Sequence, residues 1–208
     1  MDRMVRHGLS RHPRRSLSPS SDTGRIPGVP GRICPEKRVD RAIEIAKRSG
    51  RKLKIAAKVD PADREYFSDY IKPLLNHPLI ELIGEIGEDQ KDEFLANALA
   101  LLFPIDWPEP FGLVLIEAMA CGTPVIAYNE GAVPEIIEDG KTGFIVDNLN
   151  DAVAAVDRLD LIDRKSCRKE FEKRFSARRM TSDYLAIYER IRSEGEASKK
   201  VTALPRAA

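Results

Sequence analysis

Two glutamates lie in one apolar stretch near the middle of the 208-residue chain. Glu109 precedes a segment predicted to be a helix from Phe111 to Cys121, and Glu117 lies about two turns into that helix. A carboxylate among apolar helix residues is costly unless another group pairs with it. Glu117 is therefore either a carboxylate that binds a ligand or an exposed glutamate on a helix with one solvated face.

Two cations flank a tight, proline-containing turn before the first predicted helix, in the segment Gly31-Arg-Ile-Cys-Pro-Glu-Lys37. The guanidinium fork of Arg32 and the point charge of Lys37 together suit a diphosphate. The alternative is that both are solvated surface cations. Gly112, at the start of the helix that carries Glu117, would leave backbone N–H groups open to an anion such as phosphate.

Strand-like and helix-like segments alternate from Arg32 onward, which predicts an α/β fold with right-handed βαβ units and a parallel sheet. Strands are predicted at 53–57, 79–83, 99–103, 124–128 and 143–146. Helices are predicted after residue 39, after the caps Asp60 and Asp89, and at 111–121, 151–159, 163–175 and 177–192. Ligands bind beyond the carboxyl ends of such strands, which points to the loops 57–60, 84–89, 104–110 and 128–132.

Composition excludes several classes of protein. The net charge is +1, from 34 basic and 33 acidic residues, so the chain as a whole does not attract nucleic acid. No apolar run reaches the length of about 18 residues that a membrane-spanning helix needs. Three cysteines without paired spacing argue against a disulfide framework and against a zinc site, and we expect a cytoplasmic protein.

Residues 1–30 differ in composition from the rest. Up to residue 25 they contain six arginines, no lysine and two aspartates, among many serines, prolines and glycines. This composition predicts a disordered leader, with an RNA-binding tail or an organelle transit peptide as alternatives. The segment lacks aromatic residues for base stacking, which argues against RNA binding. We also predict a disordered tail at 195–208.

Several segments taken together resemble a known family. They are Gly31-Arg-Ile-Cys-Pro-Glu-Lys37, 84–87, Glu109-Pro-Phe-Gly-Leu113, Glu117-Ala-Met-Ala-Cys-Gly-Thr-Pro-Val-Ile126, 131–135 and Gly140-Lys-Thr-Gly-Phe-Ile-Val146. In this order they resemble the C-terminal, donor-binding half of retaining GT-B glycosyltransferases of family 4, also labelled group 1. The resemblance covers roughly 31–192, and we assign the domain to 31–194. It implies a Rossmann-like parallel sheet flanked by helices.

The resemblance also implies roles for the charged residues. Arg32 and Lys37 would hold the diphosphate of a nucleotide-sugar donor and stabilise the leaving group. Glu109 would lie at the donor sugar and hydrogen-bond its hydroxyls or stabilise the developing oxocarbenium charge. These three are the catalytic candidates. Glu117 would accept hydrogen bonds from the ribose hydroxyls, which would explain a carboxylate on an apolar helix.

Backbone groups complete the site that the resemblance implies. The start of the helix, at Phe111, Gly112 and Leu113, would present N–H groups to the sugar and the phosphates. The backbone from Gly84 to Ile86 would contact the base. We expect neither a metal ion nor another cofactor, because electrostatic stabilisation by the chain's own cations can neutralise a leaving diphosphate.

One departure of the sequence from that family concerns its N-terminal part. A GT-B enzyme has two Rossmann-like halves, and the N-terminal half binds the acceptor. The first thirty residues are not such a half, and we expect the first strand of the C-terminal half to be absent as well, since prolines at 27 and 30 disfavour it. The chain therefore resembles a truncated or split-gene product, with the apolar face of the last helix (Met180, Tyr184, Tyr188) left exposed.

Two functions follow as hypotheses. The first is that the chain binds a nucleoside diphosphate sugar and transfers a hexosyl group with retention, together with a separate N-terminal half. The alternative is a catalytically inactive remnant or a partner-binding module. A dehydrogenase needs a Gly-x-Gly-x-x-Gly turn and a P-loop enzyme a Walker motif, and the sequence has neither. We expect no nucleic-acid partner and at most peripheral membrane contact.

Overall fold

The structure, a computed structural model, describes residues 25–27 and 31–202, with side chains from 31 to 194. Most of the predicted leader, at 1–24 and 28–30, and the end of the predicted tail, at 203–208, lie outside the described residues. The described chain divides into two compact units, with 25–27 and 31–171 in the first and 172–202 in the second.

The strands of the first unit pair in parallel wherever the described residues show a ladder. Three neighbouring groups have the orders β1-β3-β5, β2-β4 and β6-β7-β8, and β1 also contacts β6. The α/β class and the parallel pairing are thereby confirmed. The strands are β1 Arg25–Pro27, β2 Gly31–Arg32, β3 Lys52–Ile55, β4 Ala57–Lys58, β5 Ile80–Leu82, β6 Leu101–Phe103, β7 Val125–Tyr128 and β8 Gly143–Val146.

Strand β1 corrects one sequence-based expectation. We expected no strand before Gly31, yet Ile26 lies opposite Leu53 in a parallel ladder with β3. Pro27 occupies the last position of this strand, opposite Lys54. A strand of three residues makes few ladder hydrogen bonds, so one proline at its end is tolerated.

The helices follow the predicted order, and α1 shows why they form. Its buried residues recur at helical spacing, and Gly50 ends it in a left-handed conformation with φ of 65°. Helix α8 continues past the predicted domain boundary at 194. The helices are α1 Val39–Ser49, α2 Arg64–Tyr66, α3 Glu88–Ala96, α4 Leu113–Ala120, α5 Val133–Ile136, α6 Leu149–Val156, α7 Arg164–Arg174 and α8 Ala177–Thr202.

The helix predicted after Asp60 is broken into short pieces. A 3-10 turn at Pro61–Asp63 leads into α2, a π-helical turn at Phe67–Ile71 and a second 3-10 turn at Lys72–Leu75. Asp60 lies at the predicted cap position but makes no side-chain cap hydrogen bond, because its carboxylate pairs with cations described below. The proline at 73 lacks the N–H that a longer α-helix would need.

Helix α4 sets the position of Glu117. Leu115, Ile116, Ala118 and Met119 are buried against the core, and α4 contacts both α3 and β7. Glu117 points away from this apolar face, with about a third of its side chain exposed. The helix therefore presents a single carboxylate at the edge of the core.

The second unit contains the long helix α8. Its large apolar side chains Met180, Tyr184 and Tyr188 are each more than half exposed. Within the described residues, no helix combines the length and apolar character needed to cross a membrane.

Arg164, the first residue of α7, hydrogen-bonds the segments that precede β6 and β7. Its guanidinium donates to the backbone oxygens of Ala96 and Ala98, at 2.8 and 2.6 Å, and to the hydroxyl of Thr123 at 2.9 Å. Thr123 is fully buried and in turn donates to the Leu95 oxygen. One side chain thus satisfies polar groups from two separate segments.

We expect Arg164→Met to lower the free energy of unfolding by about 2–3 kcal/mol, because buried acceptors lose charged hydrogen bonds. Arg48→Met is the control, since it removes only exposed contacts, an ion pair with Glu44 and a hydrogen bond to Asn150, worth about 1 kcal/mol or less. Urea unfolding of both variants checks this. Equal losses would contradict the role given to Arg164.

Candidate functional site

A cavity of about 430 Å³ opens at the carboxyl ends of β2 and β4, where sequence reasoning placed a ligand. Three parts of the chain line it. They are the strand ends (Gly31, Arg32, Ala56, Lys58), the segment after β5 with α3 (Glu85, Ile86, Glu88, Lys91) and the face of α4 (Leu113, Val114, Glu117). Its lining mixes three cations with three carboxylates.

Arg32 lies at the end of β2 and faces two aspartates. Its Nε is 3.3 Å from the Asp63 carboxylate, and its Nη1 is 3.6 Å from Asp60. Nearly half of the Arg32 side chain stays exposed, so the guanidinium remains open to a further anion. The Asp63 oxygen facing Nε is buried and has no hydrogen-bond partner of good geometry, which makes the Arg32 charge important for it.

Glu117 pairs with Lys91 of α3 at 2.7 Å. Burial alone would lower the pKa of Lys91, but the hydrogen bond and the charge of Glu117 outweigh it, so the pKa of Lys91 is raised. Sequence reasoning missed Lys91. The cost of a carboxylate among apolar residues was a signal that some cation must approach it, but not a signal of which one.

Lys37 and Glu109 meet although they lie 72 residues apart. The Lys37 ammonium donates to Glu109 Oε2 at 2.7 Å, and the Trp107 indole N–H donates to the same oxygen at 3.3 Å. Burial would raise the pKa of Glu109, but these two hydrogen bonds, the charge of Lys37 and the Gly112 backbone together outweigh it, so the pKa is lowered. Glu109 is therefore held as an anion.

Arginines of the first helical segment hold the loop that carries Glu109. Arg38 donates to the Asp106 carboxylate at 2.8 Å, and Arg41 donates to the Ile105 oxygen at 3.2 Å. The Asp106 N–H donates to the Glu36 oxygen at 2.9 Å. The turn with Lys37 and the loop with Glu109 are thus joined by side-chain and main-chain bonds.

Gly131 fixes the other side of this loop. It has φ of +56°, and a Cβ built on it would lie 2.3 Å from the Glu109 oxygen and 2.5 Å from the Glu109 nitrogen. The next N–H, from Ala132, donates to the same Glu109 oxygen at 2.9 Å. Only glycine permits this close approach of two backbones.

The start of α4 lies beside the same loop. Gly112 occupies the cap position with φ of 73°, while Phe111 and Leu113 are largely exposed. Gly84, which also has positive φ, precedes the cavity-lining residues Glu85 and Ile86. Gly112 itself is buried, whereas Gly84 is partly exposed, so the roles of these backbone groups stay predictions.

The structure brings the predicted residues together in two adjoining groups. Arg32, Glu117, Ile86 and Leu113 line the cavity. The other predicted residues do not line it in the described part of the chain: Lys37 and Glu109 form their own pair nearby, and Gly84, Phe111 and Gly112 lie next to lining residues. Sequence reasoning assigned no role to Lys58, Trp107 or Gly131, although Lys58 lies in a predicted ligand-binding loop and Gly131 begins a segment of the family resemblance.

Among the described residues, no three histidine, cysteine, aspartate or glutamate side chains cluster as a metal-ion site would require.

The fold and the cavity define a parallel α/β domain with a charged site at the carboxyl ends of its strands. A family profile described as "Glycosyl transferases group 1" matches residues 15–178. The chain is 30% identical over 168 residues to an uncharacterized glycosyltransferase of Methanocaldococcus jannaschii, covering 77% of this chain and 47% of that protein. The chain therefore belongs to the group 1 glycosyltransferase family.

Other similarities agree with this family. The chain is 34% identical over 96 residues to spore coat protein SA of Bacillus subtilis, covering 41% of this chain and 25% of that protein. The chain thus spans less than half the length of these curated relatives.

Solved structures of GT-B glycosyltransferases share the fold, and this chain matches about half of each of them. Sucrose-phosphate synthase of Thermosynechococcus elongatus has a TM-score of 0.71 at 23% identity, covering 83% of this chain and 46% of that one. Anabaena HepE, solved in complex with UDP and glucose, has a TM-score of 0.66 at 20% identity, covering 81% of this chain and 48% of that one.

We expect Gly131→Ala to destabilise the chain by several kcal/mol, since it adds a backbone clash to the strain of a positive φ. Gly140→Ala is the matched control, with φ of +73° and nothing within 4 Å of an added Cβ. It should cost only about 1 kcal/mol. Chemical unfolding of the two variants checks this, and equal costs would contradict the close docking of Gly131.

The lowered pKa of Glu109 predicts a pH dependence. Its pairing with Lys37 stabilises the fold above the pKa of an unfolded glutamate, 4.5, and this stabilisation is lost as the pH falls through the lower folded-state pKa. A double-mutant cycle of Lys37→Met and Glu109→Gln should give a coupling of about 1 kcal/mol at pH 7. The coupling should vanish once the pH falls below the lowered folded-state pKa of Glu109. A coupling that does not change with pH would contradict the pair.

Proposed function

We propose that the chain is the donor-binding domain of a retaining glycosyltransferase, which binds a nucleoside diphosphate sugar and transfers its hexosyl group. The observation that carries this proposal is the cavity, which is lined by both the half-exposed Arg32 and the Glu117 carboxylate of α4. A cation in one part of the cavity suits a diphosphate, and a carboxylate in another part suits a ribose diol.

The leaving diphosphate would be stabilised by the chain's own cations. Arg32 lines the cavity, and Lys37 would reach the diphosphate if it exchanged its bond to Glu109 for one to phosphate. Glu109 would then be free to act at the donor sugar, next to the start of α4 at Gly112. We propose that this transfer uses no metal ion, which activity in the presence of a chelator would test.

Acceptor binding is assigned to a second domain. The chain spans less than half of its curated relatives, and the solved structures that share its fold are about twice as long. Transfer is therefore expected only when a complementary N-terminal half is present. The anomeric configuration of the product, followed by proton NMR, distinguishes retention from inversion.

Donor binding is tested by calorimetry with UDP-glucose, GDP-mannose and ADP-glucose. We expect at least one to bind, and Glu117→Ala to weaken that binding by about tenfold or more, because the ribose hydroxyls lose a charged acceptor. Glu44→Ala, in an exposed pair with Arg48, is the matched control and should bind normally. Absence of binding of all three donors to folded protein would refute the proposal.

The exposed apolar face of α8 supports the second candidate function, a partner-binding module without activity. Met180, Tyr184 and Tyr188 supply that face. This candidate requires that the protein self-associate or bind a partner while showing no nucleotide affinity. Size-exclusion chromatography beside the calorimetry separates the two candidates.

A further inference from the structure

Lys58 ends strand β4 directly beside Arg32. The two residues are register partners in the parallel pair of β2 and β4. Side chains opposite each other in a sheet lie on the same face, and both of these line the cavity. Two like charges are therefore placed side by side at the mouth of the site.

One carboxylate lies between these two cations. Asp60 is 3.1 Å from the Lys58 ammonium through Oδ1 and 3.6 Å from the Arg32 guanidinium through Oδ2. Adjacent like charges repel each other, and a shared anion offsets that repulsion. About half of each cation's side chain is exposed, so neither charge is fully satisfied by Asp60.

The other lysines near the site are engaged more closely. Lys37 donates to Glu109 at 2.7 Å with a quarter of its side chain exposed, and it lies over the Phe103 ring. Lys91 donates to Glu117 at 2.7 Å and is less exposed still. Lys58 has a longer ion pair and about twice that exposure, so its ammonium can turn to a ligand at the least cost.

We infer that Lys58 is a diphosphate-binding residue of the donor site, which acts with Arg32 while Asp60 serves as the counter-ion that the diphosphate replaces. This inference rests on the proposed function. Two cations spaced across neighbouring strands suit two linked phosphates better than one, because each phosphate then has its own charged donor. Lys58 would thus favour diphosphates over monophosphates.

Binding of nucleotides to the full chain tests this inference. The probes are UDP, GDP and ADP with the corresponding monophosphates, measured by calorimetry at low salt. We expect Lys58→Met to weaken diphosphate binding by about tenfold and monophosphate binding by less than about threefold. Lys58→Arg should restore the diphosphate affinity. A purely structural role would change both nucleotides alike.

Lys54→Met is the matched control. Lys54 lies on the preceding strand and pairs with Glu81 at 3.5 Å, outside the residues that line the cavity. The Lys54→Met variant removes the same charge as Lys58→Met. An equal loss of diphosphate affinity in both variants would therefore mean a general effect of net charge and would overturn the inference. Diphosphate binding by Lys58→Met within about twofold of the wild type would overturn it too.

The role of Asp60 has its own readout. Asp60→Asn should strengthen diphosphate binding about two- to fivefold, since the cations lose the carboxylate that competes with the ligand. Weaker binding would contradict its role as a counter-ion. If the wild type binds none of the three diphosphates, the proposed function itself fails, and that result is distinct from a Lys58 variant that binds normally.

Discussion

The ion pair between Lys37 and Glu109 connects two loops that are separated along the chain by the four strands β3 to β6 and their helices. It depends on the parallel sheet, because parallel strands bring all their carboxyl ends to one edge. Arg38, Arg41 and Asp106 hold the same two loops from the side of α1. The topology of the sheet therefore brings these charged side chains together at this edge.

Cations of the site described above are neutralised by the chain's own carboxylates. Lys37 has Glu109, Lys91 has Glu117, and Arg32 has Asp60 and Asp63. Such pairing limits repulsion between the cations when no ligand is bound, since an unpaired charge in a partly buried position is costly. It also means that an anionic ligand competes with carboxylates for each cation, so the difference between the two sets of contacts determines affinity.

Sequence periodicity predicted the alternation of strands and helices because burial of an apolar face leaves a clear pattern, as in α1 and α4. It failed where a polar side chain had a tertiary partner. Asp60 has the residue type of a helix cap, yet its carboxylate pairs with Arg32 and Lys58, a contact that only the sheet register creates. Pro27 similarly ends a strand that proline content argued against.

The residues of the site also differ in how far the sequence alone predicts them. Glu117 could be singled out from the sequence because a carboxylate among apolar residues is locally unusual, whereas Arg32 received its role from a segment that resembles the family. Lys58 lies in the predicted ligand-binding loop 57–60, but the sequence does not distinguish it or Lys91 from the many other charged residues. Their placement depends on strand register and on the packing of α3 against α4, which are long-range properties.

The contact of Gly131 with Glu109 has a consequence for how this loop can evolve. The peptide groups at 109 and 132 are fastened to each other by a main-chain hydrogen bond, so the path of the loop does not require a carboxylate at that position. The path of the loop and the functional side chain at position 109 are therefore determined by different residues. A lineage could exchange the functional group at 109 for another while inheriting the same scaffold unchanged.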